Sequence, residues 1–347
     1  MAEPEVATKA PESLAQEADA PPPASEEAPK MSDHCTSDRP TPAGQSPTGE
    51  ITTLGDVKTY ISKPTGYPET PARLLLLLTG GTGLLSTNNQ IQADKFAQEG
   101  FVVVMPDLFD GDPAPNTRPV PELGEGGGVE ATAADGSSSS SSLLDTFKIK
   151  AAETAKSFLI DMWLARHTEG KVLPLLRRVL DACADEFADA LAHGGGVYAV
   201  GYCFGARYVL LLAAERPTAA AASASGAPWF LGGGRKAPAD EEDNQPKTEG
   251  PFIKAGAAAH ATLVSKEDFV GLKAPVTLVC VENDPMFPDE VRQAGEDYMS
   301  KNNVEHEVQV YPGVPHGFAV IGDYEDAHIK AAQATAFEQM LNWIKEH

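Results

Sequence analysis

Short apolar runs alternate along this chain with segments whose apolar residues recur every three or four positions. The runs are RLLLLLTG at 73–80, FVVVMPD at 101–107, GVYAVGY at 196–202, AAASASGAP at 220–228, PVTLVCVEND at 275–284 and EHEVQVYPG at 305–313. A run that is apolar throughout, rather than at alternate positions, suits a strand covered on both faces. The clearest helical period spans 172–191: Val172, Leu176, Val179, Cys183, Phe187 and Leu191 share a face, Pro174 falls in the first turn and Gly194 lies past the end. Phe337, Met340, Leu341 and Ile344 mark a last helix by the same spacing. Repeated alternation of strand and helix predicts an α/β fold with a mostly parallel central sheet flanked by helices on both faces. In that architecture ligands meet the carboxyl ends of the strands.

The pattern lapses in three places. Residues 1–50 are rich in Pro, Ala, Glu and Ser and poor in large apolar side chains. Such a segment buries too little surface to offset its ordering entropy, so it is expected to be a disordered acidic tail. At about 119–142, GEGGG and a serine run predict a flexible low-complexity insertion. A weaker break, charged and glycine-rich, runs from Gly232 to Gly250. The alternation resumes after each interruption, which makes 51–347 one domain carrying surface insertions.

The formal net charge of -23 argues against a nucleic-acid partner or an anionic membrane surface, both of which select a basic footprint. With 347 residues, 42% of them hydrophobic, the chain can bury a sizeable core. Its longest leucine run, Leu74 to Leu78, falls far short of the roughly 18 residues of a spanning helix. The opening MAEPEVATKAPESLAQEADA lacks the features of a secretory signal or a mitochondrial presequence, and a cytoplasmic location is expected. Cys35, Cys183, Cys203 and Cys280 show no CxxC and no histidine pair at ligand spacing, so neither a disulfide framework nor a metal site is expected.

One of these cysteines sits in a special frame. Gly201-Tyr202-Cys203-Phe204-Gly205 ends an apolar run and opens the helical stretch ARYVLLLAAE, which is the pattern of a nucleophile elbow with sulfur in place of a hydroxyl. Glycines flank the nucleophile because the strand-to-helix turn leaves no room for side chains, and the helix start favours a thiolate. Two more candidates follow in the chain order of that architecture: Asp284 in the turn after 275–284, with Glu282 as the alternative acid, and His316 in the loop after 305–313. His316 would exchange the thiol proton and Asp284 would orient the imidazole. The other histidines read as structural or superficial, with His167, His260 and His328 placed on surface segments. Backbone N–H groups for a developing oxyanion are expected from Phe204 and from the TGGTG loop, at Gly81 or within one residue of it.

Taken with STNNQIQADKFAQEGFVVVMPDLFDGDPAP, the motifs GYCFGARYV, VENDPMFPDE and PGVPHGFAV resemble the dienelactone hydrolase family, in particular its fungal members, over about 50–120 and 143–347. The resemblance implies an α/β-hydrolase fold, a Cys-Asp-His triad at Cys203, Asp284 and His316, and hydrolysis of lactones or small esters with no metal or organic cofactor. It also implies a glutamate after the first core strand and a substrate-holding arginine after the catalytic histidine in bacterial members. Here those places read TGGTG and Ala319-Val320-Ile321, with Arg118 and Arg207 as substitutes, Arg207 reading as a helix-surface residue. Two rival readings remain. Gly81-Thr82-Gly83-Leu84-Leu85-Ser86, with Asp107 ending the next run, mimics a dinucleotide fingerprint whose third glycine is a serine. A non-catalytic hydrolase-like scaffold, interacting through its acidic segments, would leave the three-residue set unexplained.

Overall fold

The computed structural model describes residues 36–115, 158–217 and 248–347. Cys35, Arg118, the insertion at 119–142 and the run 220–228 lie outside the described residues. In chain order the elements are β1 (Glu50–Leu54), β2 (Val57–Ser62), β3 (Arg73–Leu78), α1 (Thr87–Gln98), β4 (Phe101–Pro106), α2 (Glu169–Glu186), α3 (Ala188–Gly194), β5 (Val197–Tyr202), α4 (Phe204–Leu212), β6 (Arg216–Pro217), β7 (Thr248–Glu249), β8 (Ala255–Ala259), β9 (Val276–Val281), α5 (Asp289–Lys301), β10 (His306–Tyr311) and α6 (Ala327–Glu346). A further helical stretch, 158–166, precedes α2.

Eight strands form one sheet in the order β1-β2-β4-β3-β5-β8-β9-β10. From β4 to β10 neighbouring strands run parallel, while β2 pairs antiparallel with both β1 and β4. Side-chain alternation divides each central strand between two cores. Leu74, Leu76 and Leu78 of β3 join Val209, Leu176 and Met299 on one face, under α4, α2 and α5. Leu75 and Leu77 join Phe96, Phe337 and Met340 on the other, under α1 and α6. That double covering is why β4 is apolar at every position and β3 from Leu74 onward, as the runs predict.

Three features depart from the sequence reading. The helix expected at 172–191 breaks at Phe187, whose φ of -124° and ψ of 37° leave the helical region, and Gly194, expected past the end, is the last residue of α3, with Gly195 (φ 65°) as its C-cap. Cys183, Phe187 and Ala190 all reach the same core, so the apolar period runs through the break without registering it. The strand β8, AGAAA, escapes notice because it has none of the branched or aromatic residues that signal a strand. Finally, the described part of the first fifty residues is laid onto the domain. Thr48 N–H donates to Asp94 Oδ2 at 2.6 Å, Asn88 Nδ2 donates to Arg39 O at 2.7 Å and Asp323 N–H donates to Pro40 O at 2.8 Å. These are polar tethers, invisible to an argument from apolar content.

The register aligns the strand ends that matter. Leu78 pairs with Gly201, Tyr202 with Ala259, Ala259 with Val279 and Val281 with Tyr311. The loops after β3, β5, β8, β9 and β10 therefore leave from one edge of the sheet.

Candidate active site

The elbow after β5 is forced by its glycines. A Cβ on Gly201 would lie 2.7 Å from both Gly205 O and Val209 Cγ2, and one on Gly205 would overlap the Leu78 carbonyl. Between them Cys203 adopts φ 50° and ψ -115°, a conformation that costs a non-glycine residue about 1–3 kcal/mol. Backbone bonds hold the turn: Cys203 N–H donates to Ala259 O at 3.1 Å and Gly205 N–H to Thr79 O at 3.0 Å. Cys203 is the N-cap of α4, so the positive end of that helix lies beside its sulfur.

Asp284 and His316 meet, as their places in the strand-end loops predict. His316 Nδ1 lies 2.6 Å from Asp284 Oδ2, and both side chains are buried. The second carboxylate oxygen, Oδ1, accepts from Met286 N–H at 2.9 Å, an Asx-type turn that fixes the carboxylate. Glu282, the alternative acid, is exposed. Gly317, at φ 87°, turns the chain directly after His316. Burial works against the charged His316 imidazole, but hydrogen bonds to Asp284 and Cys203 and the attraction of both groups outweigh it and hold its pKa at about 9.

The link from His316 to the sulfur includes a residue that sequence reasoning missed. Thr262 Oγ1 lies 3.2 Å from Cys203 Sγ and 3.2 Å from His316 Nε2, completely buried. It arrives on the loop after β8, where Thr262 N–H donates to Cys203 O and His260 N–H to Val279 O. His260, expected on the surface, is fully buried, with its ring edge-on to His316 at 5.0 Å between centroids. His167 is half-buried against Phe109 and Trp163 rather than superficial, and His328 is exposed as expected. Because β8 is built of small residues, the one sequence signal for this loop was a histidine and a threonine just past an apolar stretch.

In the TGGTG loop the Gly80 backbone lies against Cys203: a Cβ there would sit 3.1 Å from Cys203 Cβ and 3.8 Å from Sγ. Gly81, the next residue, is buried, and its carbonyl accepts from Ala114 N–H at 2.8 Å. Ser86 of the dinucleotide-like stretch is the N-cap of α1 and accepts from Asn89 N–H at 3.1 Å, while the Asp107 carboxylate is taken up by the amides of Phe109 and Gly111. Arg207, read as a helix-surface residue, is instead half-buried in a two-pronged pair with Asp268, both bonds 2.9 Å long. It is turned to a structural use.

Above Cys203 lies a cavity of about 30 Å³, walled by Gly80, His260 and Val320 from the domain and by Ser37, Asp38 and Arg39 from the amino-terminal segment. That segment is held along the cavity wall, with the Arg39 guanidinium 4.8 Å above the Tyr324 ring and Asp38 Oδ1 accepting from Ser86 Oγ at 2.9 Å. Cys203 itself is 3% exposed. Burial is not what distinguishes it: Cys183 and Cys280 are also buried, and desolvation pushes their thiols up to about 12. Polar partners distinguish it. Among the described residues no group of His, Cys, Asp and Glu is arranged to hold a metal ion, and no helix is long and apolar enough to cross a membrane.

The sequence matches the model of the dienelactone hydrolase family over residues 57–347. It is similar to the hydrolase tropI of Talaromyces stipitatus, 26% identical over 87% of this chain and 91% of that protein. It is also similar to dienlactone hydrolase 1 of Gibberella moniliformis, 25% identical over 86% of this chain and 87% of that one. A solved structure from Klebsiella pneumoniae, assigned as a dienelactone hydrolase, superposes with a TM-score of 0.56 at 17% identity, covering 86% of this chain and 99% of the other. An esterase from Thermogutta terrifontis, solved with propionate, covers 85% of this chain and 94% of its own with a TM-score of 0.51 at 14% identity. The family match over most of the chain and the shared α/β-hydrolase architecture lead to one conclusion: the chain belongs to the dienelactone hydrolase family, and it is a hydrolase.

Proposed function

We propose that the protein hydrolyses a lactone or small carboxylic ester through an acyl-thioester formed on Cys203. The observation that carries this reading is the continuous buried chain from Asp284 through His316 to Cys203, with a 2.6 Å contact at its first step. The sulfur attacks the substrate carbonyl carbon and the carbonyl oxygen gains negative charge. The N–H groups of Phe204 and Gly81 are the donors for that oxyanion. When the tetrahedral centre collapses, the C–O bond to the leaving alkoxide breaks and His316 protonates it. In a lactone the released alkoxide stays attached to the acyl chain. Water then attacks the thioester, His316 takes a proton from it, and the carboxylic acid product leaves with Cys203 restored. Asp284 holds the imidazole throughout in the tautomer that presents Nε2 to the reacting atoms. The relatives named as hydrolases, and as a dienlactone hydrolase, support the substrate class.

The test is hydrolysis of a panel of activated esters, thioesters and unsaturated lactones by the wild type and Cys203→Ala together. Activity that is lost in the variant supports the nucleophile and ranks the substrates. Equal activity in both overturns the mechanism, and inactivity of both favours a hydrolase-like scaffold that binds without turnover. No partner beyond the small-molecule ester or lactone enters this reading, and it needs no cofactor.

A further inference from the structure

The hydroxyl of Thr262 has two close polar neighbours that carry the chemistry, Cys203 Sγ and His316 Nε2, each at 3.2 Å. A hydroxyl has one hydrogen to give and two lone pairs to receive with, so it can join a donor to an acceptor in either direction. Its place is over-determined. The residue is completely buried, its β-branched side chain has few rotamers, and its N–H is bonded to the carbonyl of Cys203 itself. The nucleophile in turn is bonded through its own N–H to Ala259, three residues before Thr262. Cysteine and threonine are thus parts of one backbone unit, and the hydroxyl stays with the sulfur. A buried hydroxyl in that position must be satisfied by these partners.

We propose that Thr262 is a positioning residue and proton relay that keeps Cys203 as a resting thiolate opposite the His316 imidazolium. The inference rests on Cys203 being the nucleophile. The step balances: the thiol proton passes to Thr262 Oγ1 as the hydroxyl's own proton passes to His316 Nε2, so the S–H and the original O–H bonds break while new O–H and N–H bonds form. Threonine keeps one proton throughout, sulfur becomes negative and imidazole positive. In the resulting state the hydroxyl donates to the thiolate and accepts from Nε2–H, so each of its roles stabilises one member of the ion pair. The TGGTG loop beside the sulfur offers no carboxylate that would oppose a negative charge there. The titratable and charged groups around the pair are Asp284 and His260 against His316, Tyr202 beside His260, and Asp38 and Arg39 in the cavity wall. Of the polar groups at the pair, Thr262 is placed to touch both of its members.

The experiment compares the full-length wild type with Thr262→Val, which keeps the shape and removes the hydroxyl, and Thr262→Ser, which keeps the hydroxyl. Alkylation of Cys203 by iodoacetamide is followed against pH, with the modified cysteine identified by mass spectrometry, alongside kcat and KM for an ester the wild type cleaves. For Thr262→Val the expected result is alkylation slowed about 10-fold or more at neutral pH with its pH midpoint moved upward. Its kcat should fall about 10- to 100-fold with KM nearly unchanged, and Thr262→Ser should restore both. A valine variant with the wild-type alkylation profile overturns the proposal. So does a serine variant as impaired as valine. Should Thr262→Val not fold, the ultraviolet thiolate absorbance of the wild type minus that of Cys203→Ala at neutral pH decides alone: its presence supports the resting ion pair and its absence overturns it. Alkylation and absorbance read the thiol without turnover. Failure of the hydrolase reading, seen as wild type inactive on every ester, is therefore distinguishable from failure of the relay.

Discussion

The cavity over Cys203 measures about 30 Å³, whereas one beside Phe109, lined by Lys58, Asp110, Asp112, Arg166, Lys171 and Arg178 among others, measures about 440 Å³. The two are connected through packing, since Phe109 lines the larger cavity and lies against Phe204, the residue after Cys203, with ring centroids 5.2 Å apart. The charged rim of the larger cavity and the surroundings of Cys203 differ in their solvent. Around the larger cavity Lys58, Lys171 and Arg178 are exposed, and the Arg166–Asp112 pair at 2.9 Å is half in water. Exposed pairs of that kind are worth little, because water screens them. Cys203, which lines the smaller cavity, and Thr262, His316 and Asp284, which are bonded in sequence beyond it, are all buried, where each hydrogen bond is stronger and each lost partner is costly. Volume, then, does not mark the candidate site; convergence of desolvated polar groups does. The small volume has its own meaning, since it is room for about one or two waters and the amino-terminal segment forms part of its wall.

The contrast is most directly broken by removing the sulfur. Cys203→Ala is expected to lower ester hydrolysis about 10³-fold or more without unfolding the protein, as measured by initial rates and a thermal melt; retention of activity would move the chemistry elsewhere. Asp284→Asn should follow, with a loss of about 10²- to 10³-fold in kcat/KM. It carries a second readout in pH. The His316 imidazole is raised from its usual range to about 9, so it is protonated below that pH and loses its proton as pH rises through it. In the mechanism proposed for the resting pair, activity of the wild type therefore declines above about pH 9. Replacing the carboxylate takes away one of the groups that hold the pKa up and leaves burial, which pulls it down. The alkaline limb of a pH–rate profile should move to lower pH in Asp284→Asn, and a limb that stays in place would separate His316 from the reaction.

Much of this site was legible before any coordinate. The buried strands announce themselves because both faces are covered, and Gly201, Cys203 and Gly205 announce the elbow because steric demand leaves a fixed spacing in the chain. Asp284 and His316 follow once the parallel sheet sends its loops to one edge. Thr262 and His260 do not follow. They sit after a strand of alanines and glycine, which looks like no strand at all, and their role depends on register with β5 and β9 rather than on neighbours in sequence. The segment 36–49 is hidden for a related reason: it is held by backbone and side-chain hydrogen bonds to Asn88, Asp94 and Asp323, contacts that composition does not encode. Local sterics leave marks in a sequence, whereas long-range polar contacts do not.

A milder substitution sharpens the contrast at the mouth of the small cavity. Arg39 lies over the Tyr324 ring at 4.8 Å, and a contact of that type is worth about 1 kcal/mol. Arg39→Ala should loosen the segment and make Cys203 about fivefold more reactive toward a bulky maleimide, with little change toward a small alkylating agent. Equal acceleration of both reagents would point to a change at the sulfur instead of at the entrance.

The smallest effect is expected at the larger of the two cavities. Arg166 donates to Asp112 at 2.9 Å with both side chains close to half exposed, so Arg166→Ala removes a screened pair worth about 0.2–1 kcal/mol and leaves no buried charge behind. Its Nη1 bond to Met162 O at 3.2 Å lies within one exposed helical turn and is replaced by water. The melting temperature should shift by no more than a few degrees and kcat/KM should stay within about twofold of wild type. The neighbouring Trp163 carries the link to the candidate site, since its ring packs on both Phe109 and Phe204 and its indole N–H donates to Asp112 O at 2.7 Å. A tenfold loss of activity in Arg166→Ala would mean that the charged rim acts on the nucleophile through that aromatic stack. The two cavities would then be one functional unit, and the separation drawn from their solvents would fail.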